Sequence, residues 1–246
     1  MSGHSKWATI HRQKEVKDAK KGAIFTKLAG QIAIAVRQGG GIADPGQNFR
    51  LRLAMDKARR FNMPKENITR AIEKGMGAGS GTEVIEAEYE GFLPGGGAVV
   101  VEAVTDNKAR TAQQVRSVLE KHGATLGGSG AVSHLFRQWG EIRMKVPAGG
   151  EKSVEETELA IIDLGVEDVE RVGDELVILC DKEKTFEVKE KLEQLGWEVA
   201  TAELVMRPQA WLEVKSDDQR QKIAAILALL EEVDEVTKVW TNYQMG

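Results

Sequence analysis

The apolar residues of this chain change their spacing once, at GMGAGSG from Gly75 to Gly81, and that change constrains the fold more than any other feature. Upstream they recur at three- and four-residue steps, the period of a helix buried on one face. Downstream, short alternating or continuous apolar runs, the signature of strands, are interleaved with helical segments. The stretch itself holds four glycines in seven residues and no β-branched or aromatic side chain, which marks a domain boundary.

In the upstream part, Ile24, Phe25, Leu28, Ile32 and Val36 fall on one face of a helix starting near Asp18 and stopped by Gly39, Gly40 and Gly41. A second helix is expected after Asp44, Pro45 and Gly46, with Leu51, Ala54, Met55 and Ala58 as its buried stripe. Pro64 suits the first turn of a third helix, where a missing N–H costs nothing, and Ile68, Ala71 and Ile72 give that helix its apolar face. Residues 1–80 therefore read as a three-helix bundle.

Beyond Gly81, Val84–Tyr89 and Ala98–Val104 read as strands joined through FLPGGG, Lys108–His122 as a helix and Ala131–Phe136 as a further strand. Next come a strand at Glu141–Val146, a helix at Val154–Leu164, strands at Val169–Val172 and Leu176–Cys180, a helix at Glu183–Leu195 and a strand at Val199–Met206. That order, βαββαβ, is the ferredoxin-like pattern of a four-stranded sheet under two helices. A last strand, helix and strand, Trp211–Val214, Gln219–Leu230 and Val236–Trp240, make a piece too small to fold alone. The economical organisation is α+β and multidomain: an N-terminal three-helix bundle (1–80), a discontinuous α/β domain (81–137 with 207–246) and an inserted ferredoxin-like α/β domain (138–206).

Charge divides along the same boundary. Residues 1–80 carry 16 Lys and Arg against 6 Asp and Glu, a net of +10, and the remaining residues carry 18 against 32, a net of −14. Such asymmetry points to a polyanionic partner for the basic part, because Lys and Arg that displace counterions from phosphates supply most nonspecific affinity for nucleic acid. The phosphate-contact candidates are Lys6, Arg12, Lys14, Lys17, Lys20, Lys21 and Lys27, then Arg50, Arg52, Lys57, Arg59, Lys65 and Arg70. Trp7, beside Lys6, is placed either to stack on a base or to anchor the N-terminal arm.

Local motifs for catalysis are lacking. His4, His11, His122 and His134 never recur as His-x-x-x-His, Cys180 is the single cysteine, and no Gly-x-Ser-x-Gly elbow occurs, so neither an enzyme nor a metal or other cofactor is expected. The glycine clusters are not followed by Lys-Ser or Lys-Thr, as a phosphate-binding P-loop requires, and read as turns. Acidic pairs such as Glu155 with Glu156 and Asp217 with Asp218 stand at helix starts, where they complement the helix dipole. The longest apolar run, Ile223 to Leu230, is eight residues, well short of the roughly 20 of a membrane span. The polar opening residues and the lone cysteine suggest a cytoplasmic setting.

GHSKWATI at Gly3–Ile10, IFTKL at Ile24–Leu28, NMPKENITRAI at Asn62–Ile72, GFLPGGGAVVVEA and TDNKART at Thr105–Thr111 closely resemble the YebC family. At GSGAVSHLF the chain departs from it, with Ser133 and His134 where the family more often has an aromatic soon after Gly-Ser-Val. The resemblance implies a helical bundle followed by two α/β domains, the middle one discontinuous. It also implies a DNA-binding transcriptional regulator, or, as in mitochondrial relatives, a translational activator directed at the ribosome or at ribosomal or transfer RNA. Oligomeric state is not legible.

Overall fold

The computed structural model describes residues 18–77, 84–145 and 154–245. Among these, Arg137–Arg207 forms one compact unit, and the residues up to Phe136 together with Pro208–Met245 form the other. Helix and sheet are mixed: three N-terminal helices precede two antiparallel sheet regions. The three helices belong to the same compact unit as the first sheet.

The three helices are α1 (Asp18–Gln38), α2 (Phe49–Arg60) and α3 (Lys65–Gly75). Their common core is Leu28, Ile32, Val36, Leu51, Met55, Ala58, Ile68 and Ala71, with Ile24, Phe25, Ala54 and Ile72 partly buried against it. Backbone chemistry sets the ends. Gly40, at φ 71°, donates its N–H to Arg37 O, and Gly41 donates to Val36 O, so the last carbonyls of α1 are capped as the chain reverses. Asn48 then starts α2: its Oδ1 accepts from Leu51 N at 3.1 Å while its Nδ2 donates to Ala35 O at 2.9 Å and Ile42 O at 3.0 Å. One buried amide thus ties the end of α1 to the start of α2. At Gly75 a Cβ would lie 2.6 Å from Ala33 O, so glycine alone lets the end of α3 close on α1.

In the same unit, β1 (Ile85–Phe92), β2 (Ala98–Thr105), β3 (Thr125–Leu126) and β9 (Val236–Thr241) form a sheet in the order β3-β1-β2-β9, antiparallel throughout. Val99 and Val101 of β2 face α4 (Lys108–Lys121) and α7 (Asp217–Glu231), whose Val115, Leu119, Ile223, Ile226, Leu227 and Leu230 fill the core. The alternate residues Val100, Glu102 and Val104 point to the opposite face, where α1 lies across the sheet. A Cβ on Gly30 of α1 would meet Val104 Cγ1 at 3.0 Å.

The expected strand at Ala131–Phe136 is not there. Ser133–Leu135 is a single 3-10 turn, and the edge strand is the earlier Thr125–Leu126. The reason is Glu90, a buried carboxylate on β1 that accepts N–H groups from Gly130 (2.6 Å), Val132 (2.6 Å) and Ser133 (2.7 Å) and so takes the donors a ladder would need. The expected strand at Trp211–Val214 shrinks to β8 (Leu212–Glu213), paired in parallel with a strand the periodicity did not indicate, β10 (Tyr243–Gln244).

The second unit comprises β4 (Phe136–Lys145), α5 (Val154–Ile162), β5 (Asp168–Val172), β6 (Glu175–Asp181), α6 (Thr185–Gln194) and β7 (Val199–Pro208). Its sheet order is β5-β6-β4-β7, the ferredoxin-like arrangement in which the first and third strands of the βαββαβ unit are central. Ile142, Met144, Ile161, Leu176, Ile178, Val188 and Leu192 form its core. β4 begins five residues before the expected Glu141 because Gly140 continues the strand, paired with Cys180, instead of interrupting it. A side chain at Gly140 would strike Thr185 Oγ1, the close approach that a strand glycine often marks. Burial raises the Cys180 thiol to about 11, so it behaves as a packed apolar group.

Tyr243 explains the PGGG turn between β1 and β2. Its hydroxyl donates to Pro94 O at 2.8 Å and accepts from Gly97 N at 3.1 Å, and its ring lies where a Gly97 Cβ would be. Gly97→Ala is therefore expected to lower stability by about 1–3 kcal/mol, the usual cost of overpacking. Urea unfolding should show a lower midpoint at unchanged slope; an unshifted midpoint would mean the ring is free to move aside.

Candidate nucleic-acid interface

The α2–α3 corner gathers open positive charge. Lys57, Arg59 and Arg60 occupy the last turn of α2, where cations complement the helix dipole. Arg59 is 60% exposed and pairs with Asp56 at 3.2 Å. Asn62 Nα–H donates to Arg59 O and Met63 Nα–H to Ala58 O, with Asn62 in the left-handed region at φ 57°, so the helix is closed by a complete Schellman turn. Met63 is buried beside Ala58, which leaves Phe61 pointing outward at 44% exposure. Lys65 then opens α3 in an exposed position, and Arg70 is 74% exposed with a long, 3.9 Å contact to Glu66.

Other cations of the head hold the fold together. Lys27 Nζ donates to Glu231 O at the end of α7. Arg52 donates from Nε to Pro45 O at 2.8 Å and from Nη2 to Gly46 O at 3.1 Å, bracing the α1–α2 loop. Arg50 is half-buried and donates to Gln38, which in turn donates to Glu86 of β1. Arg37 donates to Val84 O at 2.8 Å. Of the candidates read from the sequence, the structure thus places Arg59, Lys65 and Arg70 on the open surface, Lys57 half-buried in α2, and Lys27, Arg50 and Arg52 in internal bonds. Lys20 and Lys21 fall in the first turn of α1, where only the backbone is described, and Lys6, Trp7, Arg12, Lys14 and Lys17 lie outside the described residues.

Of these internal bonds, the chain from Arg50 through Gln38 to Glu86 reaches an acidic sheet face. Glu86, Glu88 and Glu102 are neighbours on β1 and β2, with Glu88 directly opposite Glu102. Burial first, then Glu90, Glu102 and Glu86, raise the Glu88 carboxyl; burial and Glu102 raise Glu86, against Arg50 and Gln38. Glu90 differs: burial alone would raise it, and the backbone donors outweigh that and hold it below the ordinary range.

The glycine loops are occupied by protein groups: Glu90 takes the amides of the Gly127–Gly130 loop and Tyr243 fills the PGGG turn. TDNKART is a capping device. Asn107 Oδ1 accepts from Arg110 N at 3.0 Å, Thr111 Oγ1 donates to Thr105 Oγ1 at 2.8 Å, and Arg110 reaches Asp106 and Glu235. Among the described residues, no group of three His, Cys, Asp or Glu is placed to hold a metal ion, and no helix is long and apolar enough to cross a membrane. Sequence reading missed Phe61; its signal was an aromatic directly after Arg59 and Arg60, before a Pro.

Fold and surface together define a class: an α+β protein in which a basic helical head is seated on an acidic antiparallel sheet and followed by a ferredoxin-like unit. Residues 5–78 match the TACO1/YebC protein N-terminal domain, and residues 84–243 match the TACO1/YebC second and third domain. The chain belongs to the TACO1/YebC family. A protein of Thermotoga petrophila named "Probable transcriptional regulatory protein" is 44% identical over 245 residues, covering 100% of this chain and 94% of its own. One of the same name from Aquifex aeolicus is 43% identical over 247 residues, covering 100% and 96%. The crystal structure of a conserved hypothetical protein from Aquifex aeolicus superposes with a TM-score of 0.83 at 39% identity, over 94% of this chain and 96% of that one.

The seat of the head carries a titratable group. Burial raises the Glu231 carboxyl to about 7, with Lys27 opposing, and burial lowers Lys27 against Glu231, Asp234, Glu232 and Glu235. Because the folded value of Glu231 lies above its unfolded one, its contribution to stability is present below the unfolded value and lost as pH rises through about 7. Melting temperatures measured from pH 5 to 8 should fall more steeply for the wild type than for Glu231→Gln. Parallel curves would show that the carboxyl is solvated.

Proposed function

We propose that the protein is a cytoplasmic regulator that docks on nucleic acid through its basic head, by phosphate contacts centred on the α2–α3 corner and extended by the N-terminal arm. In the domain division proposed with it, residues 1–80 are the head, 81–137 with 207–246 the domain that seats it, and 138–206 an insert. The observation that carries the proposal is that Arg59, Lys65 and Arg70 stay on the surface, Arg59 and Arg70 in exposed ion pairs with Asp56 and Glu66, while Lys27 and Arg52 are bonded to the end of α7 and to the α1–α2 loop. Neither Glu231, buried against Lys27, nor Glu90, saturated by amides, supports a catalytic role.

The names of the relatives favour transcription and a duplex DNA target. A second reading, a translation factor on ribosomal or transfer RNA, draws support from α3. Its exposed face intersperses Glu66 and Glu73 with Lys65, Arg70 and Lys74, which suits phosphate contact better than base reading in a major groove.

Reversing Arg59, Lys65 and Arg70 to Glu together is expected to abolish binding while leaving the circular-dichroism spectrum native. In a titration of the single Arg59→Gln variant, the salt dependence should become shallower by about 0.9 in log K against log salt on duplex, or about 0.7 on a single strand. Undiminished affinity of the triple variant would overturn the corner as docking surface. Ribosome co-sedimentation, set against competition between promoter and random duplex, separates the readings: a preference of about 10³ or more for promoter without ribosome association supports transcription, and association without preference supports translation.

A further inference from the structure

We propose that Phe61 is a stacking platform for an unpaired nucleobase, so that the α2–α3 corner selects single-stranded or looped nucleic acid over continuous duplex. The inference rests on the nucleic-acid reading of the head and adds to it the class of target.

The geometry argues for a platform, not a stray apolar residue. Phe61 is the C-cap of α2, with φ −81° and ψ 8°, and its N–H is already bonded to Lys57 O. The next residue, Asn62, is held in the left-handed region, and Met63 is locked into the core by its bond to Ala58 O. Both neighbours are fixed, so the ring is held outward on a rigid corner and cannot turn into the core that Met63 has filled. It is 44% exposed, preceded by the exposed Arg59 and Arg60 and followed, past Pro64, by the exposed Lys65. An aromatic face set among cations is the arrangement that single-strand binders use: the cations hold the backbone and the ring takes a base, whatever its identity, because every base has a π-face. Continuous duplex keeps its bases stacked on one another and offers that ring no face.

The other exposed aromatics, Phe92 on β1 and Trp211 just before β8, lie outside the helical head. Leu159 and Ile162 stand on α5, in a unit rich in acidic residues, and Leu195 follows α6 in the same unit. Phe25 and Phe49 of the head are half-buried, and Phe49 lies beneath the Arg50 guanidinium.

The test compares the full-length wild type with Phe61→Ala and Phe61→Trp by fluorescence anisotropy, on a 12-nucleotide oligo-uridine RNA, an oligo-thymidine DNA of equal length and a mixed-sequence duplex. Phe61→Ala should weaken binding to single strands roughly ten-fold or more, as loss of one base stack typically does. Duplex affinity and the salt slope should stay unchanged, and Phe61→Trp should restore single-strand affinity. A loss on either strand supports stacking, and its size on RNA against DNA tells which strand is the source. Equal weakening on single strand and duplex, a changed salt slope, or no weakening at all would overturn the platform. If the wild type binds none of the three probes, the docking reading itself fails, an outcome distinct from failure of the stack. Urea unfolding of each variant checks that the corner still folds.

Discussion

The seating of α1 is the contact on which the rest of the first unit depends. From Ile32 to Val36 five consecutive residues are buried, more than one apolar stripe requires, because this helix is covered from two sides. Leu28, Ile32 and Val36 serve the head core, while Gly30 meets Val104 on the sheet. A helix buried on two sides needs small residues at its close approaches: Gly30 faces the strand, Ala33 meets the end of α3 at Gly75, and Ala35 packs in the head core. The polar ends of the contact are then satisfied individually: Lys27 at one end of α1 bonds the terminus of α7, and Arg37 at the other bonds the backbone at Val84. The basic head and the acidic sheet are in this sense one electrostatic object. Carboxylates such as Glu86 and Glu88 repel one another on the strand pair, and of the two Glu86 is answered by the head, through Gln38 and the charge of Arg50.

The same economy governs the loops. A buried carboxylate is tolerated when it accepts enough hydrogen bonds to replace water, and Glu90 does so by ordering a glycine loop around itself. The loop gains defined amides to bond and the carboxylate gains its solvation. Tyr243 plays the corresponding part at PGGG, where a ring takes the space three small residues leave open and a hydroxyl serves as both donor and acceptor. At PGGG glycine is required by the ring that approaches the backbone, and at Gly130 by a left-handed φ of 81°.

Periodicity made the elements legible where one face of an element is apolar. The stripes of α2 and α3 and the βαββαβ order of the second unit fall where Leu51, Met55, Ala58, Ile68 and Ala71, and the apolar run of β6, place them. It failed where a single distant side chain decides the backbone. Ala131–Phe136 alternates like a strand, and only Glu90, forty residues earlier, diverts its amides. Gly140 looks like an interruption until Thr185 is seen packed against it. Of the candidate site, the sign of the charge was legible and its deployment was not. A lysine count cannot distinguish Lys27, turned into the fold, from Lys65, turned out of it, because that difference is made by a carbonyl two hundred residues away.

That distinction also bears on how a basic head can work on an acidic body. Were all its cations open, the head would be a diffuse positive surface and its attraction to any polyanion would be unfocused. Lys27, Arg37 and Arg52 are bonded to backbone carbonyls and Arg50 to Gln38, while Arg59, Lys65 and Arg70 stand exposed around the corner where α2 ends. The helix dipole adds its negative end there, which the cations Lys57, Arg59 and Arg60 more than offset. In the docking proposed above, the Schellman corner, its cations and the outward ring of Phe61 are the surface offered to a phosphate backbone.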